Sequence, residues 1–170
     1  MTLRLAFFTL ALVAAAGCAS ETSAPAPSTG IDPNAPYDPS QPCSTLENVA
    51  KPVEMVDEAA EPPPAKGGVL SDGTYVVTRA VRYTRAGGAA GPTQVNVRMT
   101  VRITGSVAES NFDDGPRRAR IAVDGTMLRS TNVCPSASAA EDVPFSAGLD
   151  GLTLYLNDKR GTRVYSLTRI

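Results

Sequence analysis

The sequence predicts an all-β fold, an antiparallel meander barrel or sandwich of about seven to eight strands preceded by a disordered tether. Three observations predict it. Hydrophobicity alternates with a period of two after Val69, short turn signals separate the alternating segments, and no extended helical pattern follows Lys66. Regularly spaced short strands are typical of barrels and sandwiches. The β domain is therefore expected over residues 67–170.

The segment Thr93–Thr104 carries the clearest strand pattern. Its apolar residues share one face and alternate with polar ones: Val95, Val97, Met99, Val101 and Ile103. This alternation predicts a half-buried antiparallel strand. Six other candidates are shorter or less regular: Thr74–Thr84, Arg117–Asp124, Thr126–Val133, Val143–Ser146, Leu152–Asn157 and Arg163–Ile170. Asp-Gly pairs flank several of them, as tight hairpins require.

Residues 18–66 are predicted to form the tether. Residues 19–42 are rich in proline, serine, alanine and acid, a composition that favours a disordered spacer. Ser44 and Glu47 fit a capping box and apolar residues follow at helical spacing, a pattern compatible with a short helix near 44–51. Three prolines at 62–64 then stiffen the chain as polyproline II.

Charge is unevenly distributed along the chain. Residues 19–66 hold eight acidic and two basic side chains, whereas residues 67–170 hold nine acidic and thirteen basic ones. The excess of four positive charges on the β domain is too small to predict nucleic-acid binding. The chain also has no histidine, which excludes histidine-based nucleophile pairs and the usual imidazole zinc sites. No cofactor or metal is expected.

The first residues form a targeting segment. Arg4 precedes an uncharged apolar run from Leu5 to Ala16, which is shorter than the roughly 20 residues of a membrane span and matches a signal peptide. The run ends Ala15-Ala16-Gly17-Cys18, which resembles the lipobox of bacterial lipoproteins. The resemblance implies a signal peptide over residues 1–17 and lipid on Cys18. It also implies a cell-envelope location, and Ala19 after the anchor resembles lipoproteins of the outer membrane, facing the periplasm or the cell surface.

Lipid on Cys18 leaves two cysteines, Cys43 and Cys134. In an oxidising compartment two thiols most simply form a disulfide. Two free buried thiols, or a bond to a partner chain, are the alternatives. An intramolecular bond would staple the end of the tether onto the β domain.

Two short motifs resemble small lipocalin-like meander barrels of bacterial lipoproteins. Gly73-Thr74-Tyr75 opens the first strand and Tyr165-Ser166-Leu167-Thr168-Arg169 closes the last. The resemblance implies the fold of a small β-barrel and does not identify a ligand. Arg79 shares one face of the first strand with Tyr75 and Tyr83, among apolar neighbours. On a lining face, Arg79 could bind a carboxylate or phosphate between two tyrosine walls. A bulge that turns Arg79 outward is the alternative.

Other charged clusters have less specific interpretations. Arg98, Arg102, Arg118 and Arg120, with Arg82, could form an outward basic stripe for acidic headgroups or polymers, or a solvated strand face. The loop Asn111–Gly115 has too few oxygen ligands for calcium and predicts a hairpin turn. The acid pairs Asp113/Asp114 and Glu141/Asp142 alternate faces. No base is placed to activate a serine or threonine, so no catalytic residue is expected.

These observations predict a non-enzymatic envelope lipoprotein that displays a binding or structural module from a membrane. The alternatives are a lipocalin-like carrier of a small amphiphile, which requires a hollow apolar interior, and an inhibitor of an envelope hydrolase. A surface that binds an envelope protein or polymer would instead require a filled core.

Overall fold

The computed structural model describes residue 38 and residues 40–170, and all regular structure in this part of the chain is β. Ten strands are present: β1 (Val53–Glu58), β2 (Gly73–Tyr83), β3 (Gly91–Val97), β4 (Met99–Thr104), β5 (Val107–Phe112), β6 (Gly115–Asp124), β7 (Met127–Cys134), β8 (Glu141–Ala147), β9 (Gly151–Asp158) and β10 (Gly161–Arg169). Within these residues no helix has the length and apolar character needed to span a membrane. The predicted signal peptide and Cys18 lie outside the described residues.

Eight of the strands close into an antiparallel meander barrel. Around the wall the order is β2, β4, β5, β6, β7, β8, β9 and β10, and β10 pairs back with β2. Each of these neighbouring pairs is antiparallel. Closure pairs both edges of each strand, which removes sites for edge-to-edge aggregation. The prediction of an antiparallel β-barrel is confirmed.

Each of the seven predicted strands corresponds to observed strand. Strand β1 lies in the predicted tether and was not predicted, and neither was β5. Its sequence, Val-Ala-Glu-Ser-Asn-Phe, places Glu109 on the outer face and Ser110 on the inner face, so polarity does not alternate. The predicted strand Thr93–Thr104 is also two strands, β3 and β4, which separate at Arg98.

Strand β1 explains that separation. It lies parallel to β2 and antiparallel to β3. One edge of β2 is shared by two partners, since β4 pairs with Gly73–Val76 and β1 pairs with Ala80–Tyr83. Strands β1 and β3, which we call the flap, therefore extend the sheet at the barrel end where β2 finishes. We call that end the mouth.

The second half of the predicted tether wraps the outside of the barrel. We call residues 43–66 the belt. Cys43 is bonded to Cys134 at the end of β7, with the two Cα atoms 5.5 Å apart. The Asn111 side chain of β5 donates to the Leu46 carbonyl (2.8 Å). The belt thus passes from β7 across β5 and β4 before it enters β1.

Thr100 of β4 fastens this half of the belt. Its side chain is fully buried on the outer face, beneath the belt. The Thr100 hydroxyl accepts the backbone N–H groups of Val49 (3.1 Å) and Ala50 (3.2 Å) and donates to the Asn48 side chain (3.0 Å). One hydroxyl therefore satisfies two backbone donors that have no sheet partner.

The second half of the belt crosses the opposite side of the barrel. Ala65 packs on an outer apolar cluster of Val81, Tyr83, Tyr155 and Val164. The Lys66 N–H donates to the Ser146 hydroxyl of β8 (2.9 Å). The contacts of the belt begin at β7 and continue around the barrel to β8, so the belt encircles the barrel.

Gly67 ends the belt in a close backbone contact. Its N–H donates to the Phe145 carbonyl, and its carbonyl accepts the Ala147 N–H, both at 2.8 Å. Gly67 has a φ of +66°, and a Cβ there would lie 2.4 Å from the Gly125 carbonyl oxygen. Only glycine fits both constraints.

The predicted helix near 44–51 is wrong, because this segment contains no helix. The Ser44 hydroxyl accepts only the Leu46 N–H (3.0 Å), and the later N–H groups bind Thr100 instead of helical carbonyls. Tertiary hydrogen bonds override the local pattern.

The structured domain also starts before Gly67, because the belt, which includes β1, places Ala50 and Met55 in the buried core. Most of the predicted spacer, residues 19–37 and 39, lies outside the described residues.

We expect Thr100→Val to loosen the belt. Valine keeps the shape of threonine but leaves the Val49 and Ala50 N–H groups without an acceptor, which should lower the free energy of unfolding by about 2–4 kcal/mol. Urea denaturation measures the change. Thr104→Val, the same substitution at an exposed position of β4, should change stability by less than about 0.5 kcal/mol. Equal effects of the two substitutions would contradict the assigned role of Thr100.

Candidate functional site

The two ends of the barrel interior differ in packing. Near the start of β2 the interior is filled by large side chains, including Tyr75, Phe145, Leu152 and Leu167. Towards the mouth it contains a cavity of about 190 Å³. The interior is therefore neither wholly filled nor hollow along its full length.

Small side chains on one wall create this cavity. Ala108 and Ala119 lie opposite each other on β5 and β6, and Ser110 and Ser130 continue the same wall on β5 and β7. Facing them is the leucine row of β9: Leu152, Leu154 and Leu156. Alanine and serine leave space that larger residues would fill, so the hollow follows directly from these positions.

Polar groups gather at the rim of the cavity. The side chains of Ser110, Ser130, Asn132 and Glu141 line it and make no hydrogen bond or ion pair within the described residues. Their polar atoms remain accessible to solvent, because among the described residues the only buried side-chain polar atom without a hydrogen-bond partner is Nε of Arg163, whose contact with Asp158 is an ion pair. An apolar floor with a few convergent polar groups is the usual composition of a ligand site.

Arg117 lies on the same rim but is already partnered. Its guanidinium forms an ion pair with Asp114 and lies over the Phe112 ring, 5.1 Å from the ring centroid. Both contacts orient the arginine along the edge of the cavity. Its positive charge is thus largely compensated before any ligand arrives.

The other side of the mouth is closed by two ion pairs. Arg82 donates to both carboxylate oxygens of Asp57 (2.8 and 2.7 Å), with side-chain exposures of 14% and 8%. Nε of Arg163 lies 2.9 Å from Oδ2 of Asp158. The hydrogen bond to Asp57 raises the pKa of Arg82, and the charge of Asp158 adds to this. Arg82 and Arg163 are cross-strand neighbours, so the two aspartates offset the repulsion between their positive charges.

Arg79 lies outside the barrel, and its predicted place in a lining face is wrong. The register with β10 shifts between Ser166 and Leu167, which makes Thr78 the extra residue of a bulge. The bulge reverses the inward and outward positions after Val77. Arg79 is 62% exposed and pairs with Glu58 at 2.9 Å, so the alternative interpretation of an outward-turning bulge holds.

The bulge also separates the two tyrosines predicted to flank Arg79. Tyr75 precedes it, lies buried in the core and donates to the Ser71 carbonyl (2.7 Å). Tyr83 follows it and lies in the outer cluster beneath the belt. Burial raises the pKa of Tyr83, and the nearby charge of Glu58 adds to this. Neither tyrosine lines the cavity.

The proposed basic stripe is largely used in structural contacts. Arg98 donates to the belt carbonyls of Ala50 and Asn48, both at 3.0 Å. Arg102 pairs with the buried carboxylate of Glu109 (2.8 Å). Arg82 points to the barrel interior. These arginines hold the belt, β5 and the flap in place.

The loop at 111–115 is a hairpin turn, as predicted. Its oxygen-bearing side chains have separate partners: Asn111 binds the belt, Asp113 accepts the Arg98 N–H (3.1 Å) and Asp114 pairs with Arg117. Among the described residues, no group of three potential metal-ligating side chains converges.

The predicted Cys43–Cys134 disulfide is confirmed, and it lies beside the mouth. Cys134 shares a face of the sheet with Arg118, its partner in β6, because the register shifts between Arg118 and Ala119. Ser138 in the connection from Cys134 to β8 and Glu141 at the start of β8 both line the cavity. The bond therefore anchors both the belt and one side of the rim.

A second recess, of about 380 Å³, lies between the belt and the β9–β10 hairpin. It is larger than the cavity, but exposed turn residues of both charge signs line it, including Glu61, Arg85, Lys159 and Arg160. It has no apolar floor. The cavity at the mouth fits a binding site better for that reason.

The comparisons with known proteins give no relative. No protein-family model matches the chain, and no similar protein is found among curated proteins or solved structures. The residues of the small-side-chain wall and the polar rim could not be recognised as a site from the sequence alone. They are small or polar side chains on β5 to β8, and the undetected β5 hid the inner face that they share.

We expect Arg79 and Arg82 to differ sharply in their contribution to stability. Arg82→Ala leaves the buried Asp57 carboxylate unpaired and should cost about 3–5 kcal/mol. Arg79→Ala removes an exposed ion pair and should cost at most about 1 kcal/mol. Chemical denaturation of both variants measures the difference. If Arg79→Ala were the more damaging change, the bulge that we place at Thr78 would be incorrect.

Proposed function

We propose that this protein is a non-enzymatic cell-envelope lipoprotein whose barrel binds the apolar end of a small amphiphile. The observation that carries the proposal is the cavity at the mouth, with its leucine floor and the four polar rim side chains that have no partner within the described residues. An apolar chain would bury itself against the leucines, and a polar head would stay at the rim. This favours the carrier alternative over a surface module with a filled core.

The size of the cavity limits the ligand. Its volume of about 190 Å³ exceeds the roughly 150 Å³ of an engineered cavity that holds benzene. It is smaller than the roughly 300–1,000 Å³ of pockets that enclose a whole drug-sized ligand. One short hydrocarbon chain therefore fits, and the head group lies outside the apolar part.

The residues around the cavity favour binding over chemistry. Two serines line it, but among the described residues its lining includes no lysine or histidine that could serve as their base. Glu141 is the one carboxylate in that lining, whereas acid–base catalysis commonly uses a pair of titratable groups. A ligand would be held and released unchanged.

The proposed anchor is consistent with this role. Twenty-four residues separate Cys18 from Cys43, a span of at most on the order of 80 Å when extended. Cys43 is fixed beside the mouth by its disulfide. A lipid on Cys18 would hold the mouth within this distance of a membrane surface, where amphiphiles concentrate.

The cavity can be tested by filling it. We expect octan-1-ol to shift the amide NMR signals of Ala108, Ser130 and Leu154. Ala119→Phe should weaken this binding at least about tenfold, because the ring occupies the cavity. Ala122→Phe, three residues along β6 and exposed on the outer face, is the matched control and should bind as wild type. Ser130→Leu serves if Ala119→Phe does not fold. Wild-type spectra that do not respond to octan-1-ol would refute the binding proposal.

The anchor can be tested separately. Mass spectrometry of the mature protein should find Cys18 as the amino-terminal residue, carrying acyl groups, because the lipobox resemblance implies cleavage before it. Cys18→Ala should move the protein from the membrane fraction to the soluble fraction. Cys43→Ala, which removes only the disulfide, should leave it in the membrane fraction. An unacylated amino terminus would exclude the anchor and leave the cavity proposal unaffected.

A further inference from the structure

We infer that the head group of the ligand is an amine, so that the mouth selects cationic single-chain amphiphiles over fatty acids. This inference rests on the proposed function and specifies the chemistry of the same site. The observation behind it is the unequal pairing of charges around the rim. Two ionised side chains line the cavity, Arg117 and Glu141, and only one of them has a partner.

The positive charge at the rim is compensated. Arg117 is paired with Asp114, so an incoming carboxylate would compete with an existing carboxylate for the same guanidinium. On the other side of the mouth, Arg82 is paired with Asp57 and Arg163 with Asp158. Each arginine that faces the mouth interior therefore has an acid beside it.

The negative charge at the rim is not compensated. Glu141 makes no hydrogen bond or ion pair within the described residues. The nearest cation on its strand pair, Arg129, is bound to Asp142 at 2.9 Å on the outer face. The uncompensated charge at the rim is thus negative.

The neighbours of Glu141 complete a site for an ammonium group. Glu141 is the direct cross-strand partner of Ser130, so their side chains share the inner face a few ångströms apart. Asn132 lies two residues further along β7 on that face and also lines the cavity. An ammonium group has three donors and no acceptor. Carboxylate, hydroxyl and amide oxygens on adjoining positions match those donors.

The test compares three amphiphiles with the same eight-carbon chain. NMR titration should give octylamine an affinity about tenfold higher than that of octanoate, with octan-1-ol between them, since charge is the main difference. In Glu141→Gln the preference for octylamine over octanoate should fall to about twofold or less, because glutamine keeps the shape and loses the charge. Asn132→Ala should weaken octylamine more than octan-1-ol.

Asp142→Asn is the matched control, because Asp142 is the next residue and its side chain points away from the cavity to Arg129. It should leave the preference for octylamine unchanged. A higher affinity for octanoate, or an unchanged preference in Glu141→Gln, would overturn the amine assignment. Binding of octan-1-ol would still uphold the proposed function in that case. If none of the three compounds shifted the cavity signals, the proposed function itself would fail.

Discussion

The pairing of both edges of β2 is the constraint on which the rest of the structure depends. One edge pairs with β10 and closes the barrel. The other edge is divided, because β4 pairs with its first residues and the chain of β3 and β4 turns away at Arg98. Unpaired backbone groups along half a strand would be costly and would invite aggregation. Strand β1 supplies the missing partner, and the belt must therefore fold with the barrel.

The bulge at Thr78 and the ion pair of Asp57 with Arg82 follow from the same arrangement. One extra residue reverses which side chains face inward, so Val81 and Tyr83 become an outer surface and Arg82 becomes an inner one. The outer surface is covered by Ala65 of the belt. The inner arginine requires a carboxylate, which Asp57 of β1 provides in direct register. Once the bulge is present, the structure needs both Ala65 of the belt to cover the outer surface and Asp57 of β1 to pair with the inner arginine.

The barrel could be predicted from the sequence because alternation and turn signals are local. Strand β5 could not, since Glu109 is outward yet buried by its pairing with Arg102, and Ser110 is inward yet borders a cavity. The belt could not either, because the N–H groups near Ala50 bind Thr100, which is 50 residues away in the chain. Arg79 was misplaced for the same reason, since a bulge depends on the partner strand. Local patterns record periodicity, whereas these features arise from pairing between distant segments.

The mouth combines these consequences into an asymmetric opening. On the side of β2 and β10, the flap and two ion pairs close the interior with charged but compensated groups. On the side of β5 to β8, small side chains leave space, and Ser130, Asn132 and Glu141 at the rim have no partner within the described residues. The disulfide fixes the rim on this open side, at the point where the belt begins. Rigidity at the rim preserves the spacing of Ser130, Asn132 and Glu141, and a preorganised rim loses less entropy when a head group binds. Strand β1 and the belt thus close the mouth on the side of β2 and β10 and leave the side of β5 to β8 open.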